Sequence, residues 1–258
     1  MRNLGLFGAL VLGSATFAPS AAVADPVIEL SASRCADQGR RLGPNERAAP
    51  ADLAQDAFCV DLLFKSRAPE GAVVVFGSSR AAEGDASYEL VRSFARAWTT
   101  SGSKLPIASG GGGGLMEAAA RGAVEGRGQS IAVMTYFGSD PWRKKLNPYV
   151  LSENAYVCSS FSQREAELVD RGTAIVIALG GVGTEWEIFE TLTKLQTGKK
   201  APAPVILLGS ASDWESLHTR LDAMAAQGAV TPADLKLFEH AETAEAAVQA
   251  LKRALGSK

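Results

Sequence analysis

From Ala72 onward, short apolar runs rich in branched residues alternate with segments whose apolar side chains recur every three or four positions. The runs are AVVVF from Ala72, LPIAS from Leu105, SIAVM from Ser130, YVCS from Tyr156, AIVIAL from Ala174 and PVILLG from Pro204. They read as continuous apolar stretches, the signature of strands covered on both faces. Between them, SYELVRSFARAWTTSG sets Leu90, Val91, Phe94 and Trp98 on one helical stripe and stops at Gly102. Further helices are predicted for LMEAAARGAVEG, for SQREAELVDRG from near Ser162, and for TEWEIFETLTKLQTG ending at Gly198. Two more follow, SDWESLHTRLDAMAAQG and TAEAAVQALKRAL, capped by Ser212 and Thr243. This rhythm predicts an α/β fold, a doubly wound and mostly parallel sheet with helices on both faces. Right-handed crossovers then gather the strand-to-helix loops at one edge, where ligands bind.

The chain has 258 residues, enough for one sizeable core. Its 47% apolar and 21% charged residues are those of an ordinary globule. A formal net charge of -2 supplies no basic field, which argues against nucleic acid as a partner. Residues 1–24 differ in kind: MRN, then the apolar LGLFGALVLGSATFA, then an A-x-A site in AVADP. They read as a cleaved signal peptide or, alternatively, as an uncleaved anchor, although the apolar run falls short of the ~20 residues a spanning helix needs. Cleavage would start the mature chain near Asp25, free of the membrane, in a periplasm or secreted. Residues 25–70 form an N-terminal extension, irregular through GRRLGPNERAAPAD, with a short helix in DLAQDAFCVDLLF capped by Asp52. The main domain is expected over 71–258. Cys35 and Cys59 flank the polar stretch of this extension and are candidates for a disulfide that ties it down, with Cys158 left as a small buried residue; three unpaired thiols are the alternative. With no C-x-x-C and only His218 and His240 near the C-terminus, no metal site is expected.

Two glycine runs carry the chemistry. IASGGGGGLMEAAARGA and IALGGVGTEWEIFE each end a strand and open a helix. A helix start presents unpaired N–H groups and partial positive charge, and glycine lets an anion approach that backbone. Tight turns between strand and helix are the bland alternative. Neither run is followed by the lysine of a Walker A loop, and GSSR after the first strand lacks the dinucleotide pattern G-x-G-x-x-G. The target is therefore read as a mononucleotide, its phosphate bonded also by the Thr184 hydroxyl. Glu187, three residues on, shares the helical face of Thr184 one turn in. Arg164, near the start of the preceding helix, reaches the same sheet edge or forms a surface salt bridge. Glu190 is expected to be solvated, and Glu185 points elsewhere.

GGGGGLMEAAARGA, NPYV, FSQREAELV, ALGGVGTEWEIFETLTKLQTGK and PVILLG resemble, in that order, the motifs of the LOG family of cytokinin-activating phosphoribohydrolases. The resemblance runs from about Val73 to the C-terminus. It implies a Rossmann-like sheet and a homodimer in which the partner's helices close each site. It further implies hydrolysis of the N-glycosidic bond of AMP or an N6-modified AMP, to free base and ribose 5-phosphate, with no cofactor. The family pattern P-G-G-x-G-T-x-x-E falls on Leu179, Gly180, Gly181, Val182, Gly183, Thr184 and Glu187. Gly180, Gly181, Gly183 and Thr184 are thus implied to bind phosphate, and Arg164 and Glu187 to be the catalytic pair. Gly110, Gly111 and Gly112 would support the ribose phosphate or the sheet edge, Glu117 would contact substrate, and Gly77 and Ser78 would lie beside the base. Two positions depart from the pattern: Leu179 replaces a proline, and Glu165 stands where a lysine commonly follows the arginine. A non-catalytic periplasmic nucleotide-binding module is the alternative function; a nicotinamide oxidoreductase and an amino-acid decarboxylase lack their sequence marks.

Overall fold

The computed structural model describes residues 30–256, so the expected signal peptide lies outside the described residues. The elements are helix α1 (Pro50–Arg67), strand β1 (Ala72–Phe76), α2 (Ala86–Thr100), β2 (Ile107–Ser109), α3 (Leu115–Glu125), β3 (Ser130–Thr135) and β4 (Ala155–Cys158). They continue with α4 (Phe161–Arg171), β5 (Gly172–Ala178), α5 (Val182–Gln196), β6 (Val205–Leu208), α6 (Glu215–Ala226), β7 (Phe238–Ala241) and α7 (Ala244–Gly256). The strands form one seven-stranded sheet in the order β4-β3-β2-β1-β5-β6-β7, and every neighbouring pair is parallel. This is the doubly wound α/β architecture that the alternation predicts.

The continuous apolar runs resolve into two faces because strand side chains alternate. Val74, Phe76, Ile175, Ile177, Val205 and Leu207 pack beneath α1, α4, α5 and α6. Val73, Val75, Ala174, Val176, Ile206 and Leu208 pack beneath α2, α3 and α7. Strand β7 had no strand signal in the sequence: its FEHA places two exposed residues in the middle, as an edge strand allows.

Several helix starts differ from expectation. Ala49, not Asp52, is the N-cap of α1; Asp52 sits in the first turn and its carboxylate accepts the N–H of Ala49 at 2.9 Å. Helix α4 begins at Phe161, capped by Ser160, and Ser210 instead of Ser212 caps a 3-10 turn ahead of α6. Thr243 caps as expected, its Oγ1 accepting from Ala246 N at 3.1 Å.

The segment before β1 is more ordered than an irregular extension. Cys59, Val60 and Phe64 of α1 are buried in the core with Tyr156 and Leu168. Asp56, 1% exposed, accepts from the Tyr156 hydroxyl at 2.9 Å and from Ser159 N at 2.7 Å, which fixes α1 to the β4 edge. Cys35 and Cys59 form a disulfide across 24 residues, and Cys158 is buried and free. A loop of that length predicts a loss of about 3 kcal/mol when the bridge is removed. Urea unfolding of a Cys35→Ser/Cys59→Ser double variant should show that loss, and an unchanged midpoint would refute it.

Candidate active site

Strands β1 and β5 are neighbours, but the chain leaves them in opposite directions. After β1 it runs to α2 on one face, and after β5 to α5 on the other. Loops that diverge in this way open a crevice at the carboxyl ends of the two strands. Here the crevice is a cavity of about 800 Å³, lined by Gly77 to Ala81 on one side and Leu179 to Thr184 on the other. That volume suits a small-molecule ligand. One backbone bond, Ser78 N to Leu179 O at 3.0 Å, pins the two loops together at its floor.

The second glycine run forms the open wall. Gly180, Gly181, Val182 and Gly183 are exposed, and α5 starts at Val182 with Gly181 as its N-cap. Its first helical bond is Glu185 N to Gly181 O at 3.0 Å, so the N–H groups of Val182, Gly183 and Thr184 have no intrahelical acceptor. They are donors for an anion. Gly180 is required by close approach: a Cβ there would strike the Thr184 side chain.

Behind this wall lies a buried charge cluster. Arg164 is 5% exposed, Glu165 1% and Glu187 7%. Arg164 Nε donates to Val133 O at 3.1 Å; its Nη1 is paired with Glu165 and lies 3.7 Å from Glu187 Oε1. Thr184, 5% exposed, is buried with Glu187 at the start of the same helix. Burial first, and the adjacent Glu165 charge second, push the Glu187 carboxyl well above the usual carboxylate range, against the pull of Arg164. Burial also raises Glu165, offset chiefly by Arg164. Glu165 and Glu187 are both buried around the Arg164 guanidinium, so the Glu165 charge opposes ionisation of Glu187. Arg164 is thus a buried hub rather than a surface salt bridge. Glu185 pairs with Arg220 at 2.5 Å, and Glu190 with Lys194 at 3.0 Å.

The first glycine run does not line the cavity. Gly110 is occupied by packing, since any Cβ would collide with the Arg164 guanidinium. Asn147 Nδ2 donates to the carbonyls of Gly111 and Gly112, both at 3.1 Å. Glu117 accepts from the Tyr88 hydroxyl at 3.2 Å and also stands outside the cavity lining. Of the proposed roles for Gly110, Gly111 and Gly112, the geometry fits support of the sheet edge, whereas Gly77 and Ser78 do line the cavity. Among the described residues, no group of three or more His, Cys, Asp or Glu is arranged to hold a metal ion.

A family model described as "Possible lysine decarboxylase", the model for LOG proteins, matches residues 116–251. The chain belongs to the LOG family. A cytokinin riboside 5′-monophosphate phosphoribohydrolase of Rhodococcoides fascians is 28% identical over 190 residues, 73% of this chain and 92% of the relative. Solved structures share the fold. A molybdenum cofactor binding protein from Rippkaea orientalis superposes with a TM-score of 0.55 at 19% identity, covering 72% of this chain and 97% of that one. The molybdenum cofactor carrier protein of Chlamydomonas reinhardtii gives 0.51 at 24% identity, covering 72% and 98%.

Within this LOG-family chain the structure adds residues that motif reading left out. Arg80, from GSSR, lines the cavity. So do Phe137 and Phe161, whose rings stand 6.0 Å apart edge to face. Glu165 had a signal, as a departure from the motif; its burial against Glu187 had none. Arg80 was visible as a cation after a strand, but only the parallel pairing of β1 with β5 brings it to the same cavity as Gly183.

Proposed function

We propose that the protein is an N-ribohydrolase of nucleoside 5′-monophosphates, releasing the free base of AMP or an N6-modified AMP together with ribose 5-phosphate. One observation carries this reading: the anion-binding start of α5 and the Arg164–Glu187 pair face a single cavity. Phosphate sits on the Val182, Gly183 and Thr184 amides, with Gly180 and Gly181 giving its oxygens access. Phe137 and Phe161 offer ring faces for a purine. As the bond from C1′ to the base breaks, its electron pair leaves with the base, which takes up a proton. The ionised Glu187 carboxylate stabilises the cationic ribose and accepts a proton from the water that adds to C1′. Arg164 holds that carboxylate in place. The raised Glu187 pKa makes this carboxylate a stronger base than a solvated one.

The Cys35–Cys59 bridge supports an extracytoplasmic location with a mature chain that starts near Asp25. The exposed apolar side chains beside the cavity, Val182 at 90% and Trp186 at 40%, support a homodimer that covers them. Sedimentation of the purified protein would read a dimer mass.

The deciding experiment incubates the purified mature chain with a panel of 5′-mononucleotides and follows free base by chromatography. Equal amounts of adenine and ribose 5-phosphate from AMP are expected. Tight AMP binding without base release would instead establish the non-catalytic nucleotide-binding module.

A further inference from the structure

We infer that Arg80 is the cation that meets the phosphate opposite the α5 amides, and that it makes the site select 5′-phosphorylated ligands over unphosphorylated ones. The inference deepens the ribohydrolase reading and rests on it for the orientation of the ligand.

Two arginines face the cavity, Arg80 and Arg164. Arg164 is already committed. Its guanidinium serves Val133 O, Glu165 and Glu187, is 5% exposed, and lies against Gly110. With the Glu165 carboxylate paired to it and Glu187 3.7 Å away, Arg164 already has its counter-charge inside the protein and has little to offer a further anion.

Arg80 differs in each respect. Its N–H donates to Ser78 Oγ at 3.1 Å, a local turn that folds the loop after β1 against the cavity wall. The residue is exposed, and among the described residues its side chain enters none of the ion pairs. The one other acid on this wall, Asp85, has its carboxylate engaged by Ala82 N at 2.8 Å. A phosphate dianion held by helix-start amides alone meets only about half a positive charge. It would also face the negative charge of Asp85 across the same cavity. A guanidinium able to fork onto two phosphate oxygens supplies the missing charge.

The test is calorimetric titration of the purified mature chain with ribose 5-phosphate and, in parallel, with ribose. Arg80→Gln should weaken ribose 5-phosphate binding by about 10- to 100-fold, the range for loss of a charge-assisted bond. Ribose binding should not move, and Arg80→Lys should keep part of the affinity. In turnover the same variant should raise KM for AMP far more than it lowers kcat. Equal ribose 5-phosphate affinity in wild type and Arg80→Gln would make Arg80 a solvated surface residue and overturn the inference while leaving the hydrolase reading intact. Arg80-dependent binding without base release would uphold the inference and sink the hydrolase reading. A wild-type chain that binds no ribose 5-phosphate would overturn both.

Discussion

Glu187→Gln is expected to lower base release from AMP by about 10³-fold while sparing nucleotide binding, because the amide keeps the shape and loses the charge that faces C1′. The wild-type pH profile should carry the same signature. The proposed mechanism needs the ionised carboxylate, and burial plus the Glu165 charge hold its pKa well above the ordinary carboxylate value. The rate should therefore climb with pH through a limb displaced above the usual carboxylate range. Glu165→Gln removes the repelling charge and should shift that limb to lower pH. Stability should run the other way. The folded protein holds the Glu187 proton more tightly than the unfolded chain, so this stabilising contribution is complete below the unfolded pKa and fades as pH rises through the folded one. Melting curves of Glu187→Gln should exceed wild type, by a margin that grows over that window. Undiminished turnover in this variant would remove Glu187 from the mechanism.

Arg164→Met carries the largest expected cost to the fold, about 3–5 kcal/mol, since it strands two buried carboxyls without their cation. Both can escape by taking up protons, so the cost should be greatest at alkaline pH and shrink on acidification. Adding Glu165→Gln to Arg164→Met should recover part of the loss, because one stranded charge is gone. Guanidinium titrations at two pH values would read this directly. A pH-independent loss, or none, would show that the cluster does not hold the ionisation states inferred for it.

Some of this protein was legible in its residues, and the limit has a physical cause. Apolar runs such as AIVIAL and PVILLG announce strands covered on both faces, and the helical stripe of Leu90, Val91, Phe94 and Trp98 announces what covers them. Those are local properties of period 2 and period 3.6, so the parallel α/β sheet follows from them. GGVGTEWE likewise marks a glycine-rich helix start with free amides, because glycine approach and a first-turn hydroxyl both act within a few residues. Strand β7 escaped, since an edge strand needs no apolar middle. The Gly110 to Gly114 run escaped in a different way: its glycines look like a ligand loop, yet Gly110 abuts Arg164, some fifty residues downstream, Gly111 abuts Ala132, and Gly114 abuts the Ser78 and Ser79 backbone. Helix periodicity and glycine placement were thus set by the chain's own short-range order. Which side chains share a cavity, which arginine is spent in a buried cluster and which is left for a ligand were decided only when the β1–β5 pairing brought distant loops together, because charge, burial and close packing depend on neighbours that sequence distance does not rank.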